Sequence, residues 1–341
     1  MLVMRVAIYS NKPVSILSFK NYIENVTREM EKLGVEFIYI NKKNDISTKA
    51  DVDLYWYPFS TPPWSLVKVR KPLVISLLGD YGLDIPAWDF YGAGPLQSLV
   101  RRYVLKTRLL IKWSIFKRRS SAIITVSKYA KNTLVKHLKF NEKRVFVVYH
   151  GVDLNIFNPK GERVTLNRPY FLHVSQYVYP FHNMKNLRRI IAAYTRLDLD
   201  PKPYLVLVIP GYPKNIEIDG VILIRKRLDK EALAKLYRGA LALVFPSLHE
   251  TFGMPALEAI ASGCPVIASN VTALPEVVGD AAIYVDPYST KEIAAAMKMI
   301  AENEDLRRML ISKGLERARK FTWRKSAIMH KTIFEKILKE S

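Results

Sequence analysis

Residues 241–269 read LALVFPSLHETFGMPALEAIASGCPVIAS, and their pattern decides the fold class. The stretch LALVFP is continuously apolar, as a strand buried on both faces of a parallel sheet must be. A polar segment, 247–254, then leaves the sheet. Pro255 suits the first position of a helix, where its missing N–H costs nothing, and Gly263 suits the stop. The spacing therefore predicts a helix over 255–262 and a strand over 265–268. In an open α/β sheet the loop of such a unit lies at the carboxyl end of the strand, where ligands bind.

Two carboxylates flank that loop. Glu250 precedes the helix, and the spacing places Glu258 in its first turn. The backbone N–H groups of Phe252, Gly253 and Met254 then face forward at a helix N-terminus, a ready anion site. Gly253 lets the backbone approach a ligand closely. Carboxylates accept hydrogen bonds from sugar hydroxyls, so the element offers donors for phosphate and acceptors for hydroxyls. The same spacing also serves a plain structural role, with Glu258 complementing the helix dipole and Glu250 capping the loop. Spacing alone leaves both readings open.

Outward from this unit, short apolar runs alternate with helical patterns. Strands are predicted over 5–9, 35–40, 54–57, 73–78, 122–126 and 144–149, with a helix over 19–33 that Gly34 stops. The rhythm restarts with strands over 170–175, 204–209 and 221–224 and helices over 186–197 and 230–239. Between the halves, HGVDLNIFNPKGERVTLNRP has no clear period, so a boundary falls near 150–168. Repeated βαβ units argue for doubly wound parallel sheets in two domains.

The chain has 341 residues, of which 49% are hydrophobic, enough for sizeable cores. Its one cysteine, Cys264, excludes an intramolecular disulfide and fits a small core residue in a reducing compartment. No apolar run approaches a membrane span and no segment reads as a signal peptide, so a soluble cytoplasmic protein is expected. The net charge of +22 points to nucleic acid, an anionic membrane surface or anionic small substrates.

The run HETFGMPALEAIASGCPVIASNVTALPEVVG resembles the signature of glycosyltransferase family 4, whose members are retaining enzymes of the GT-B fold. LDKEALAKLYRGALALVFPS, DAAIYVDPYSTKEIAAAM and FTWRKSAIMHKTIFEKIL are similar to that family too. The likeness is strong over about 150–341 and weaker before, where VSKYAKNTLVKH matches best.

The resemblance implies an α/β chain with two Rossmann-like domains facing across a cleft. The first would span 1–155 on the acceptor side and the second 156–321 on the nucleotide-sugar side, with a terminal helix over about 322–341 packing back on the first. It implies that Glu250 contacts the donor sugar, that Thr251, Phe252, Gly253 and Met254 reach sugar and phosphate, and that Glu258 holds the ribose diol. Lys185, in MKNL, would bind the diphosphate, and Lys226, Arg227 and Leu228 would lie near the base. The resemblance further implies front-face transfer without a covalent nucleophile. No convincing D-x-D pair occurs, so neither metal nor cofactor is expected beyond the UDP-, GDP- or ADP-sugar substrate.

The chain departs from the family in three places. Ser175–Gln176 stand where the family has a glycine–arginine pair, followed by the insert YVYPFH, whose His182 is a candidate substitute donor. SNKPVSI, from Ser10, replaces a glycine pair after the first strand. Leu78, followed by Gly79 and Asp80, replaces a histidine, which makes Asp80 a candidate cleft residue.

No acidic residue occurs from Phe90 through Asn141. Within that stretch, helical spacing puts Arg101, Arg108, Lys112 and Arg119 on one stripe, beside Leu105, Leu109, Trp113 and Phe116. A basic helix beside apolar residues reads as a membrane-surface element, with Trp113 as an anchor, at the inner face of a membrane. A solvated basic helix with an ordinary core face is the alternative, and nucleic acid is the least favoured reading. The expected function is hexosyl transfer to a glycan or lipid-linked acceptor. A nucleotide-sugar 2-epimerase and a non-catalytic nucleic-acid or glycan binder are its rivals.

Overall fold

The computed structural model describes residues 3–9, 17–40, 51–59, 62–79, 82–84, 86, 87, 89, 94–177 and 181–341. In chain order these form β1 (Met4–Tyr9), α1 (Leu17–Glu31), β2 (Val35–Ile40), β3 (Leu54–Tyr57), β4 (Leu73–Ser76), α2 (Pro95–Arg119), β5 (Ala122–Thr125), α3 (Lys128–Leu138) and β6 (Val145–Val147). Then come β7 (Tyr170–Val174), α4 (Leu187–Thr195), β8 (Tyr204–Val208), β9 (Val221–Ile224), α5 (Lys230–Gly239), β10 (Ala242–Phe245), α6 (Met254–Ala261) and β11 (Val266–Ser269). The chain ends with α7 (Leu274–Val278), β12 (Ala282–Val285), α8 (Thr290–Glu302), α9 (Glu304–Ala318) and α10 (Trp323–Lys339). Two units result: Met1–Asp84, Val100–Gly151 and Phe321–Ser341 in one, Ile85–Leu99 and Val152–Lys320 in the other.

The first unit holds a parallel sheet in the order β2-β1-β3-β4-β5-β6. Every residue of β4 and β5 is buried, the signature of strands covered on both faces. Trp113, Phe116 and Leu109 of α2 belong to this core, beside Leu134, Leu138 and Phe140. Helix α10 packs on α1 within the same unit. Trp56 Nε1 donates to Ser76 Oγ at 2.9 Å, Tyr22 Oη lies 2.9 Å from that oxygen and 2.6 Å from His330 Nε2, and His330 Nδ1 is 2.8 Å from the Ser326 carbonyl. With Nδ1–H on the carbonyl, Nε2 accepts from Tyr22, so each buried polar group in the chain of bonds is satisfied. A Cβ on Gly151 would stand 2.1 Å from the Trp323 nitrogen, so only glycine lets the chain pass the start of α10.

The second unit holds a parallel sheet in the order β12-β11-β10-β7-β8-β9. Strand order reverses between β7 and β10, so the loops after these two strands flank a switch point. Side chains cap its helices: Asp229 accepts from Ala232 N at 2.7 Å and Asn303 from Leu306 N at 2.8 Å. Cys264 is buried and unpaired. The two parallel six-stranded sheets are those of the GT-B class.

Helix α6 departs from its predicted start. Gly253, at φ 94°, is its N-cap and Pro255 its second residue, so Glu258 lies in the second turn rather than the first. Helix α2 corrects a second expectation. Trp113 is 0% exposed and packs edge-on against Phe116 and Phe140, so it is a core residue and not a membrane anchor. The indole ring fills the core between these two rings, and its Nε1 has no hydrogen-bond partner among the described residues. Arg119 likewise turns inward, its guanidinium donating to the Val69 and Lys71 carbonyls. Arg101 and Arg108 are exposed and Lys112 is half-buried.

Candidate functional site

The loop after β7 is held by one residue. Asn186 takes a left-handed backbone, φ 61°, which asparagine tolerates better than most residues. Its buried side-chain amide donates to the Pro246 carbonyl at 2.8 Å and to the Pro287 carbonyl at 2.7 Å. Leu248 N donates to the Met184 carbonyl at 2.8 Å. These bonds tie the β7 loop to the segments after β10 and β12 and fix Lys185, the residue before Asn186.

The loop after β10 is tied in turn to the loop after β11. Glu250 N donates to Thr272 Oγ1 at 3.3 Å, and Ala273 N to the Glu250 carbonyl at 3.2 Å. Lys185 Nζ then donates to Glu250 Oε1 at 2.6 Å. The side chains are 26% and 11% exposed, so the pair is partly desolvated. Lys185 also stands 5.8 Å from the centre of the Phe245 ring.

Lys185 opens on a cavity of about 510 Å³ within the second unit. Ser175 and Gln176 line it, together with Arg188, Arg189 and Lys214. Arg189 donates to Asn186 Oδ1 at 3.0 Å and lies over the Tyr288 ring at 4.8 Å. Where the glycine–arginine pair is missing, helix α4 thus brings two arginines to the same cavity. The doublet after MKN was visible in the sequence, but only the fold shows that α4 begins beside the cavity.

The two glutamates part company. Glu250 meets Lys185, whereas Glu258 accepts from Tyr237 Oη at 3.3 Å, toward α5. Burial raises the Glu258 carboxyl to about 7, with the Tyr237 bond opposing the shift. Neither glutamate lines the cavity, nor do Thr251, Phe252, Gly253 and Met254, nor Lys226, Arg227 and Leu228, which form the link from β9 to α5. Thr251, Phe252, Gly253 and Met254 join β10 to α6. A Cβ on Gly253 would lie 2.5 Å from Leu274 Cδ2, so packing as well as φ requires glycine. No side chain caps α6 at this end. Ser10, Asp80 and the His182 side chain lie outside the described residues.

His173 was not singled out from the sequence, where it is one polar residue in the strand YFLHV. It is fully buried, with Nδ1 2.8 Å from the Val244 carbonyl and Nε2 3.0 Å from Ser175 Oγ. Burial holds it down to about 4, opposed by the Val244 bond and helped by the charge of Lys185. It is therefore neutral at pH 7, and it braces Ser175 at the cavity edge.

Residues 158–317 match the family model described as Glycosyl transferases group 1, and residues 50–156 match Glycosyltransferase Family 4. The chain is 29% identical over 217 residues to O-antigen chain mannosyltransferase B of Escherichia coli, covering 59% of this chain and 57% of that protein. It is 29% identical over 295 residues to O-antigen chain mannosyltransferase RfbU of Salmonella typhimurium, covering 81% and 79%. Among solved structures, Anabaena Alr3699/HepE in complex with UDP-glucose superposes with a TM-score of 0.71 at 15% identity, over 99% of this chain and 100% of that one. The match thus extends over little more than half of the first relative and about four-fifths of the second. Among the described residues no helix is long and apolar enough to cross a membrane.

Proposed function

The chain belongs to glycosyltransferase family 4, and from that membership we propose that it is a retaining glycosyltransferase. It moves a hexosyl group from a nucleotide sugar to an acceptor hydroxyl. The observation that carries this reading is the 2.6 Å contact of Lys185 with Glu250 at the switch point, with Lys185 itself on a cavity lined by further cations. A diphosphate requires the cations, and a sugar hydroxyl requires the carboxylate.

In the proposed step the bond from the sugar's anomeric carbon to phosphate oxygen breaks, and its electron pair stays on the diphosphate. The acceptor hydroxyl oxygen bonds to that carbon on the same face, and its proton passes to the departing phosphate oxygen. Lys185 and the uncapped start of α6 stabilise the developing charge as fixed donors. Glu250 orients the sugar, and Glu258 takes the ribose diol on the α5 side. The reading needs no metal or other cofactor, because Lys185 and the cations lining the same cavity would carry the leaving group's charge.

The O-antigen chain mannosyltransferases among the relatives make a mannosyl donor the first to try and a glycan, lipid-linked in this reading, the acceptor class. The neighbour solved with UDP-glucose keeps uridine donors in the set. An anionic membrane surface is the proposed second partner, because the basic charge needs an anionic counterpart and such acceptors are membrane-borne. Thermal shift with UDP-, GDP- and ADP-hexoses should single out the donor, since a bound donor raises stability. Product analysis with and without acceptor, in EDTA, then tests the reaction. Interconversion of the free donor, with no transfer to any acceptor, would overturn the reading.

A further inference from the structure

Within the first unit a second cavity opens at the amino ends of β4, β5 and β6. It measures about 380 Å³. Arg70, Arg118, Arg119, Lys143, Arg144 and Lys336 line it, against one acidic side chain, Glu340. Among the described residues only Lys336 of these six pairs with a carboxylate, at 3.8 Å from Glu340. Two of the cations are already placed. Arg119 is held on the Lys71 carbonyl at 2.8 Å, and Lys336 sits 5.3 Å from the Phe146 ring centre. Six like charges around one hollow repel one another unless an anion shares them.

An apolar hollow of about 450 Å³ adjoins this cavity, lined by Val67, Ser114 and Ile115 and sharing Arg118 and Arg119. Beside it Ile111 is 62% exposed and Trp64 is 53% exposed, with Lys112 over the Trp64 ring at 5.6 Å. Cations in a pocket, with aliphatic and indole surface continuous with them, match an amphiphile that carries its charge at one end. A soluble polyphosphate would use the cations and leave the apolar hollow wet.

We propose that this basic cavity binds the phosphate headgroup of an anionic membrane lipid, with the adjoining hollow resting against the lipid's apolar part. The inference rests on the membrane part of the function proposed above and is independent of the donor site. It places membrane contact at the Arg118 end of α2, on groups of which the helical stripe singled out only Arg119.

The test uses the full chain and sedimentation with phosphatidylcholine vesicles. The vesicles are doped with phosphatidic acid or with phosphatidylglycerol, matched in total charge. Arg118→Glu with Arg144→Glu removes the cavity's field, and Arg101→Glu with Arg108→Glu is the charge-matched control on the exposed part of α2. All four side chains are exposed, and circular dichroism checks that both variants fold. The expected result is tighter binding to phosphatidic acid, weakened more than about tenfold by the cavity pair and much less by the control. Equal losses in the two variants would overturn the cavity while leaving membrane binding intact. No binding of the unaltered chain at low salt would sink both. Calorimetric binding of inorganic pyrophosphate in the absence of vesicle binding would assign the cavity to a soluble polyanion and overturn the lipid reading.

Discussion

Lys185 Nζ and Glu250 Oε1 stand 2.6 Å apart although 65 residues separate them in the chain, and each comes from a loop flanking the point where the sheet reverses direction. The pair is partly desolvated, so removing either partner leaves the other's charge poorly compensated. Lys185→Ala should lower single-turnover transfer by roughly 10²- to 10³-fold, the usual cost of deleting a fixed donor to a developing anion. Glu250→Gln should lower it as well, and the double variant should lose less than the product of the two. Transfer within tenfold of the unaltered chain in Lys185→Ala would remove the residue from the mechanism.

Asn186 sets the position of that lysine. Asn186→Ala deletes two buried hydrogen bonds, leaves the Pro246 and Pro287 carbonyls short of a donor, and forces a less tolerant residue into φ 61°. Urea unfolding should show a loss of about 2–4 kcal/mol. Asn186→Gly relieves the backbone but not the carbonyls, so its loss should be smaller. Both should impair transfer by displacing Lys185. A stable Asn186→Ala protein with unchanged transfer would show that the loop holds itself.

How far the sequence reveals this site depends on which forces are local. The strand–loop–helix over 241–269 was legible because Pro255, Gly263 and the apolar run act through neighbours in the chain. The turn holding Glu258 was misplaced because Gly253, in a left-handed conformation packed on Leu274, starts the helix one residue early. Lys185 was found only through the resemblance, and nothing in spacing gives its distance to Glu250. Arg188, Arg189 and His173 escaped notice because a doublet on a helix and a histidine in a strand have no local signature. Trp113 was misread for a related reason: the helical stripe is correct, but which side meets the core is a tertiary fact.

Trp113 provides a direct test of that last point. Trp113→Ala should cost about 3–5 kcal/mol through the cavity it leaves among Phe116 and Phe140. Trp113→Phe should retain most of the packing and bind anionic vesicles as the unaltered chain does. A selective loss of vesicle binding in the folded Trp113→Phe protein would restore the residue to the membrane surface.

His173 and His330 contribute to the acid limit of stability, as does His150, which burial holds down to about 3. His173 and His330 are both held down to about 4 by burial. The unfolded chain therefore binds these protons as pH falls through about 6.5 while the folded chain does not. Stability is full above about 6.5, declines toward pH 4 and levels below it, with up to about 3 kcal/mol at stake for each. Acid unfolding monitored by tryptophan fluorescence should shift to lower pH in His330→Gln if its amide takes over the bonds to Tyr22 and Ser326. An unchanged midpoint would show that His330 does not limit acid stability.

Glu258 has the opposite sign and a functional readout. Its carboxyl is raised to about 7, so the folded chain holds the proton longer than the unfolded chain. The stability from this group is fully present below about 4.5 and is lost as pH rises through 7. A ribose diol donates two hydrogen bonds, and a carboxylate accepts both more strongly than a neutral acid does. Affinity for the nucleotide should therefore rise roughly fivefold as pH passes from 6 to 8, about 1 kcal/mol for exchanging neutral for charge-assisted bonds. Glu258→Gln cannot ionise, so its affinity should be weaker at pH 8 and flat across the range. Isothermal titration of the nucleoside diphosphate in both proteins measures this. A rise of equal steepness in Glu258→Gln would assign the pH dependence to the phosphate and remove Glu258 from the diol.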